Sequence, residues 1–149
     1  DRKFRELCLE AIRNNVDFAF ECNLRDNQIK YLSLFDEAGY KINLVYLWLY
    51  DVELSFERVE YRVAQGGHSV GKISIVSNFY EGLRNLNDSF QDWDNLFIID
   101  NSKDIHKNNI ENLPLVFYIV NGDIKYYNSN IDFSLIEKSF PEIANELNK

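Results

Sequence analysis

Residues 42–50 read Ile42-Asn43-Leu44-Val45-Tyr46-Leu47-Trp48-Leu49-Tyr50, nearly continuous apolar sequence broken only by Asn43. Such a run is the mark of a strand buried on both faces in a parallel sheet. Two stretches accompany it: Val16-Asp17-Phe18-Ala19-Phe20 alternates as a short strand, and Leu96-Phe97-Ile98-Ile99 reads as a third core strand. Helical periodicity fills the intervals. From Arg2 to Asn14, Phe4, Leu7, Cys8, Ala11 and Ile12 recur at helical spacing. Asp26 is placed to cap a second helix with the stripe Ile29, Leu32 and Phe35, closed by Gly39. Asp51 is placed to cap a third, with Val52, Phe56, Val59 and Val63 on one face and Gly66-Gly67 at its end. A fourth covers Ile73 to about Phe90, with Gly82 as its weak point. This alternation predicts an α/β fold with helices on a parallel sheet whose three strands are adjacent and joined by right-handed crossovers. Beyond it, Leu115–Val120 and Ile124–Tyr127 flank Asn121-Gly122-Asp123, a hairpin signal. A last helix runs from about Phe133 to Asn148 and is expected to break or restart at Pro141.

The chain has 149 residues, enough for one domain with a sizeable core and too few for two. Hydrophobic residues make up 46% and aromatics 15%, which excludes a disordered chain. Its formal net charge of −8 argues against a nonspecific nucleic-acid binder, which needs a positive surface to displace counterions. No apolar run approaches the roughly 18 residues of a membrane span, and no basic, apolar leader follows Asp1. Cys8 and Cys22 do not make a disulfide framework, so a reducing cytoplasmic location is expected. With no Met at all, the chain is expected to be part of a longer gene product.

Ligands collect at the carboxyl ends of strands in open parallel sheets. Three stretches are placed there: Glu21-Cys22-Asn23-Leu24-Arg25, Asp51 with its helix, and Asp100-Asn101-Ser102. Arg58 and Arg62 share one helical face, where like charges repel, and neither has an acid three or four residues away. Their fork geometry suits phosphate oxygens; equally, acids from elsewhere in the fold would account for them. His68 follows the Gly66-Gly67 joint, and His106 sits in a polar loop. The histidines and cysteines show no metal-ligand spacing. No Gly-x-x-x-x-Gly-Lys-Ser/Thr stretch occurs, so these residues do not cradle a nucleotide in the P-loop manner.

Phe18-Ala19-Phe20-Glu21 with Asn23, Ala38-Gly39-Tyr40 leading into Leu44–Leu49, Glu53–Val59 with Arg62-Val63, and Gly66-Gly67-His68-x-Val70 together are similar to the zeta-toxin family of P-loop kinases. The resemblance covers roughly residues 1–125, including Leu83-Arg84-Asn85-Leu86 and Asp100-Asn101-Ser102. It implies a P-loop-kinase-like three-layer α/β/α fold, incomplete here. It also implies an ATP- or GTP-dependent, Mg²⁺-requiring kinase that phosphorylates a small acceptor such as a UDP-linked amino sugar, with an antitoxin protein as a possible partner; charge and hydropathy, as above, argue for neither nucleic acid nor membrane. In that resemblance Glu21 matches an acid that holds the acceptor. Asn23 stands where Thr is usual, and Arg25 where some members carry Arg. Arg58 and Arg62 match arginines that neutralise the transferring phosphate, and His68 belongs to the Gly-Gly-His turn, grouped with the substrate side.

The family's phosphate loop, its Lys and the Asp that activates the acceptor precede the segment that begins here. The stretch usually written Arg-Tyr-x-Arg-Ser-Leu reads Asn78-Phe79-Tyr80-Glu81-Gly82-Leu83. Phosphoryl transfer depends on positioning and charge neutralisation, so the chain is expected to be the larger C-terminal part of such a kinase, inactive alone and without tight nucleotide binding. The alternatives are a non-catalytic relative that binds a nucleotide sugar or a protein, and an interaction module with an acidic surface for a basic partner.

Overall fold

The computed structural model describes residues 2–25, 29–102 and 113–149. Asp26, expected as a helix cap, and His106 lie outside them. The helices are α1 (Arg2–Asn14), α2 (Leu32–Glu37), α3 (Val52–Ala64), α4 (Lys72–Ser89), α5 (Phe133–Ser139) and α6 (Pro141–Leu147). The strands are β1 (Asn43–Trp48), β2 (Asn95–Asp100), β3 (Leu115–Val120) and β4 (Asp123–Tyr127). They form one mixed sheet in the order β1-β2-β3-β4. The fold is α/β, its sheet opening on the parallel β1–β2 pair. Strands β2, β3 and β4 pair antiparallel.

Local chemistry explains the boundaries. The Asp51 carboxylate accepts from the Glu53 amide at 3.0 Å and starts α3. The β3–β4 turn puts Asn121 at φ 48° and Gly122 at φ 82°, the left-handed pair that a two-residue hairpin needs. Pro141 occupies the first turn of α6, so the expected single helix is two, parted at Phe140. The Asp94 carboxylate takes the Ile42 amide at 2.7 Å, while the Asp94 amide reaches the Ile42 carbonyl at 2.9 Å. Asp94 thereby fixes the register in which β1 meets β2.

The main core lies on one face of the sheet. Leu96 and Ile98 of β2 stand opposite Ile119 and Phe117 of β3, and all four are fully buried. Leu86 of α4, Ile136 of α5, Phe140 between the last two helices and Ile143 of α6 pack in the same cluster. A second cluster joins Cys8 and Ala11 of α1 to Tyr31 and Phe35.

Two expectations are corrected. Val16–Phe20 is not a strand. Its alternating aromatics serve a ring cluster: Phe20 meets Phe4 at 5.0 Å between centroids, and Phe18 stacks on Phe35 at 5.4 Å. Nor is β1 buried on both faces. It is the sheet's edge strand, and Val45 and Leu47 are 58% and 54% exposed. Of the three strands expected to be adjacent and parallel, only the β1–β2 pair is. Among the described residues no helix is long and apolar enough to cross a membrane.

Replacing Leu47 by Thr is therefore expected to change stability by less than about 1 kcal/mol, whereas Leu96→Ala, at a fully buried position, costs about 2–5 kcal/mol. Urea unfolding of the two variants measures the contrast; equal losses would mean that β1 is covered on both faces.

Candidate functional site

The segment after Phe20 is held down by α4. Leu24 adopts φ 52° and is 3% exposed, so its carbonyl is buried. The Asn85 amide donates to that carbonyl at 2.8 Å. One turn earlier, Gly82 lets the helix approach: a Cβ there would lie 3.2 Å from the Asn23 carbonyl oxygen and 3.4 Å from the Tyr46 hydroxyl. The glycine that looked like a weak point of the helix is what brings it against this segment.

Between the segment, β1, α3 and the start of α4 opens a cleft of about 910 Å³. Glu21, Asn23 and Arg62 line it together with Ser55 and Asn78. Its walls are apolar, with Phe20, Leu44, Leu47, Val59, Ile75 and Phe79 prominent. Tyr46 adds a hydroxyl that burial keeps protonated, its pKa pushed well above the ordinary tyrosine value. Glu21 and Arg62 are both exposed, and neither has a hydrogen-bond or ion-pair partner among the described residues. The stem of Arg62 packs on the backbone of Gly67, where a Cβ would come within 2.6 Å of its Cγ. Gly67 is thus the seat of the Arg62 side chain.

The two arginines of α3 part company. The Arg58 guanidinium donates to the Asn101 carbonyl and, at 3.3 Å, to its side-chain oxygen. Burial lowers the Arg58 pKa from its ordinary value, and the charge of Asp100 opposes that shift. Arg58 does not line the cleft. It fastens α3 to the end of β2, close to the reading in which fold partners account for it. The stretch Asp100-Asn101-Ser102 is structural in the same sense. Asp100 accepts from the Ser102 amide at 2.8 Å, and the Ser102 hydroxyl accepts from the Tyr50 amide at 3.1 Å.

Arg25 is also engaged. It donates to Glu81 at 2.9 and 3.3 Å and to Asn78 at 3.4 Å. The Ser77 hydroxyl donates to Glu81 as well and is the main cause holding that carboxyl below its usual range, ahead of Arg25. His68 is exposed beyond α3 and does not line the cleft. Sequence reasoning missed Ser55, Tyr46 and Phe79 as lining residues and met Asn78 only as a departure from a pattern.

The structure thus gathers Glu21, Asn23 and Arg62 around one cavity and sets Arg25, Arg58 and His68 outside its lining. The Zeta toxin family model matches residues 2–131. Comparison with curated proteins and with solved structures gives no match.

Arg58→Gln is expected to cost about 1–3 kcal/mol by stripping Asn101 of charge-assisted bonds. Arg62→Gln, at an exposed position, stays within about 0.5 kcal/mol of the parent; thermal unfolding separates them, and equal effects would deny the division of labour. Glu81 adds a pH signature. A carboxyl with a depressed folded pKa gives stability that is present above its unfolded value and is lost as pH falls through the folded one. The Tm gap between the parent and Glu81→Gln is therefore expected to be open at neutral pH and to close below about pH 4.

Proposed function

The chain belongs to the zeta-toxin family, and from that premise we propose that it carries the acceptor-holding part of a small-molecule phosphotransferase. The observation that supports this reading is the convergence of a carboxylate and a guanidinium, Glu21 and Arg62, each without a partner among the described residues, on one apolar cleft beside the parallel strand β1. Glu21 and Asn23 hold the acceptor's polar groups there. Arg62 faces the developing charge of the phosphate, and being exposed, it is able to reorient toward that charge. Arg58 acts through the backbone: it positions α3 and so the turn that bears Arg62.

A magnesium nucleotide does not fit the residues present. The chain contains no phosphate loop with its Lys, and the described residues offer no cluster of three His, Cys, Asp or Glu for a metal ion. ATP or GTP with Mg²⁺, if used, requires a grip from beyond these side chains, and no transfer step is assigned to them. A second reading, a binding module without catalysis, draws on one observation: Arg25, which donates to Asn78, is bound to Glu81 where the family pattern has arginine.

The purified 149-residue chain is expected to transfer no phosphate from ATP to a UDP-linked amino sugar. Joined to a polypeptide that supplies a phosphate loop, it becomes active, and Glu21→Gln and Arg62→Gln each lower kcat/KM by about tenfold or more. Radiolabel transfer checks both statements. Activity of the chain alone would refute the first, and unchanged kinetics in both variants would move the acceptor site elsewhere.

A further inference from the structure

Two adjacent glycines end α3, and they do different work. Past the cap residue Gln65, Gly66 takes φ 89°, a left-handed conformation that strains an L side chain. Its amide bonds the Val63 carbonyl at 2.9 Å, and the Gly67 amide reaches back to the Arg62 carbonyl at 2.9 Å. This pair of bonds is the closure that a left-handed residue gives a helix end, and it accounts for Gly66. It does not account for Gly67, whose φ is not left-handed. In such closures the residue at the position of Gly67 frequently lays an apolar side chain on the residue at the position of Arg62. Here there is no side chain to do so. A Cβ on Gly67 would lie 2.6 Å from the Arg62 Cγ and 2.8 Å from its carbonyl oxygen, whereas a Cβ on Gly66 would meet nothing within 4 Å. The space that a side chain would take at position 67 is the space the Arg62 stem occupies. From this berth Arg62 lines the cleft, as does Val70 just beyond the turn.

We propose that Gly67 is a positioning residue for Arg62: by lacking a side chain it gives the Arg62 stem a backbone shelf, which confines the stem and holds the guanidinium toward the cleft in the free protein. An exposed arginine otherwise spreads over many rotamers and loses that freedom when it binds an anion. A stem that is already confined loses less. Gly66 shapes the end of the helix, and Gly67 shapes the path of the Arg62 side chain. This inference rests on the reading of Arg62 as the group that meets phosphate only for its consequence in binding; the order of the side chain is measured separately.

The test compares Gly67→Ala with Gly66→Ala in the 149-residue chain. Both are expected to lower Tm, the first by crowding the Arg62 carbonyl and the second by straining a left-handed turn. The discriminating readout is the heteronuclear NOE of the Arg62 Nε–Hε group. In the parent it is expected to exceed that of Arg5, which is exposed on α1, and to fall to the Arg5 level in Gly67→Ala but not in Gly66→Ala. Titration with inorganic pyrophosphate, followed by NMR shifts, gives the second readout. Gly67→Ala weakens binding by about fivefold, Gly66→Ala by less than about twofold, and Gly67→Ala adds nothing in the Arg62→Gln background. An Arg62 no more ordered than Arg5 in the parent would overturn the proposal, and that measurement stands even if a variant fails to fold. Equal loosening of Arg62, or equal loss of pyrophosphate binding, in the two glycine variants would also overturn it, because the pair would then be a helix stop and nothing more. If pyrophosphate binding ignores Arg62→Gln, the phosphate role of Arg62 falls, while an Arg62 that loosens in Gly67→Ala alone still carries the positioning.

Discussion

One buried hydrogen bond, from the Asn85 amide to the Leu24 carbonyl, decides whether there is a site at all. Among the described residues the segment from Glu21 to Arg25 pairs with no strand, so its place depends on side-chain ties. A carbonyl as buried as that of Leu24 costs on the order of 1–3 kcal/mol if left unpaired. Asn85 meets that need from the interior of α4, and Gly82 one turn earlier removes the side chain that would hold the helix off. Arg25 with Glu81 adds a third tie on the same helix. Segment and helix therefore come as a unit, and the cleft is the space that unit leaves against β1 and α3.

What the sequence made legible was the local chemistry. The Asp51 cap, the left-handed Asn121-Gly122 pair and the restart at Pro141 each depend on residues within a turn of one another. Those signals do not depend on what packs where. The misreadings share the opposite property. Val16–Phe20 alternates as a strand does, but alternation reports only that one side is apolar, and here that side meets rings from α1 and α2 instead of a neighbouring strand. The apolar run at β1 signalled two covered faces, whereas one face is core and the other carries exposed Val45 and Leu47. Hydrophobicity along a strand does not say which layers are present to cover it.

The site residues divide on the same line. Glu21 and Asn23 could be placed because they directly follow an apolar stretch. The fates of the arginines could not. The Arg58 partner Asn101 lies 43 residues away in sequence, and the Arg25 partner Glu81 56 away. Helical spacing sees only i±3 and i±4 neighbours, so the absence of acids at those positions left both readings of the pair open. Glu81 looked like a lost positive charge; in the fold it is the counterion of Arg25 and the acceptor of the Ser77 hydroxyl.

The separation of Arg58 from Arg62 follows from helix geometry. Four residues span a little more than one turn, so both side chains leave α3 on the same side about 6 Å apart. Had both faced the cleft, their mutual repulsion would have acted across a low-dielectric apolar wall. Instead Arg58, deeper along the helix, ends on the Asn101 carbonyl beside Asp100, where a negative charge offsets the cost of its partial burial. Arg62 lies at the C-terminal turn of the helix, a favourable place for a cation, and its stem rests on Gly67. One arginine is spent on fixing the angle of the helix, and that fixed angle is what presents the other to the cleft.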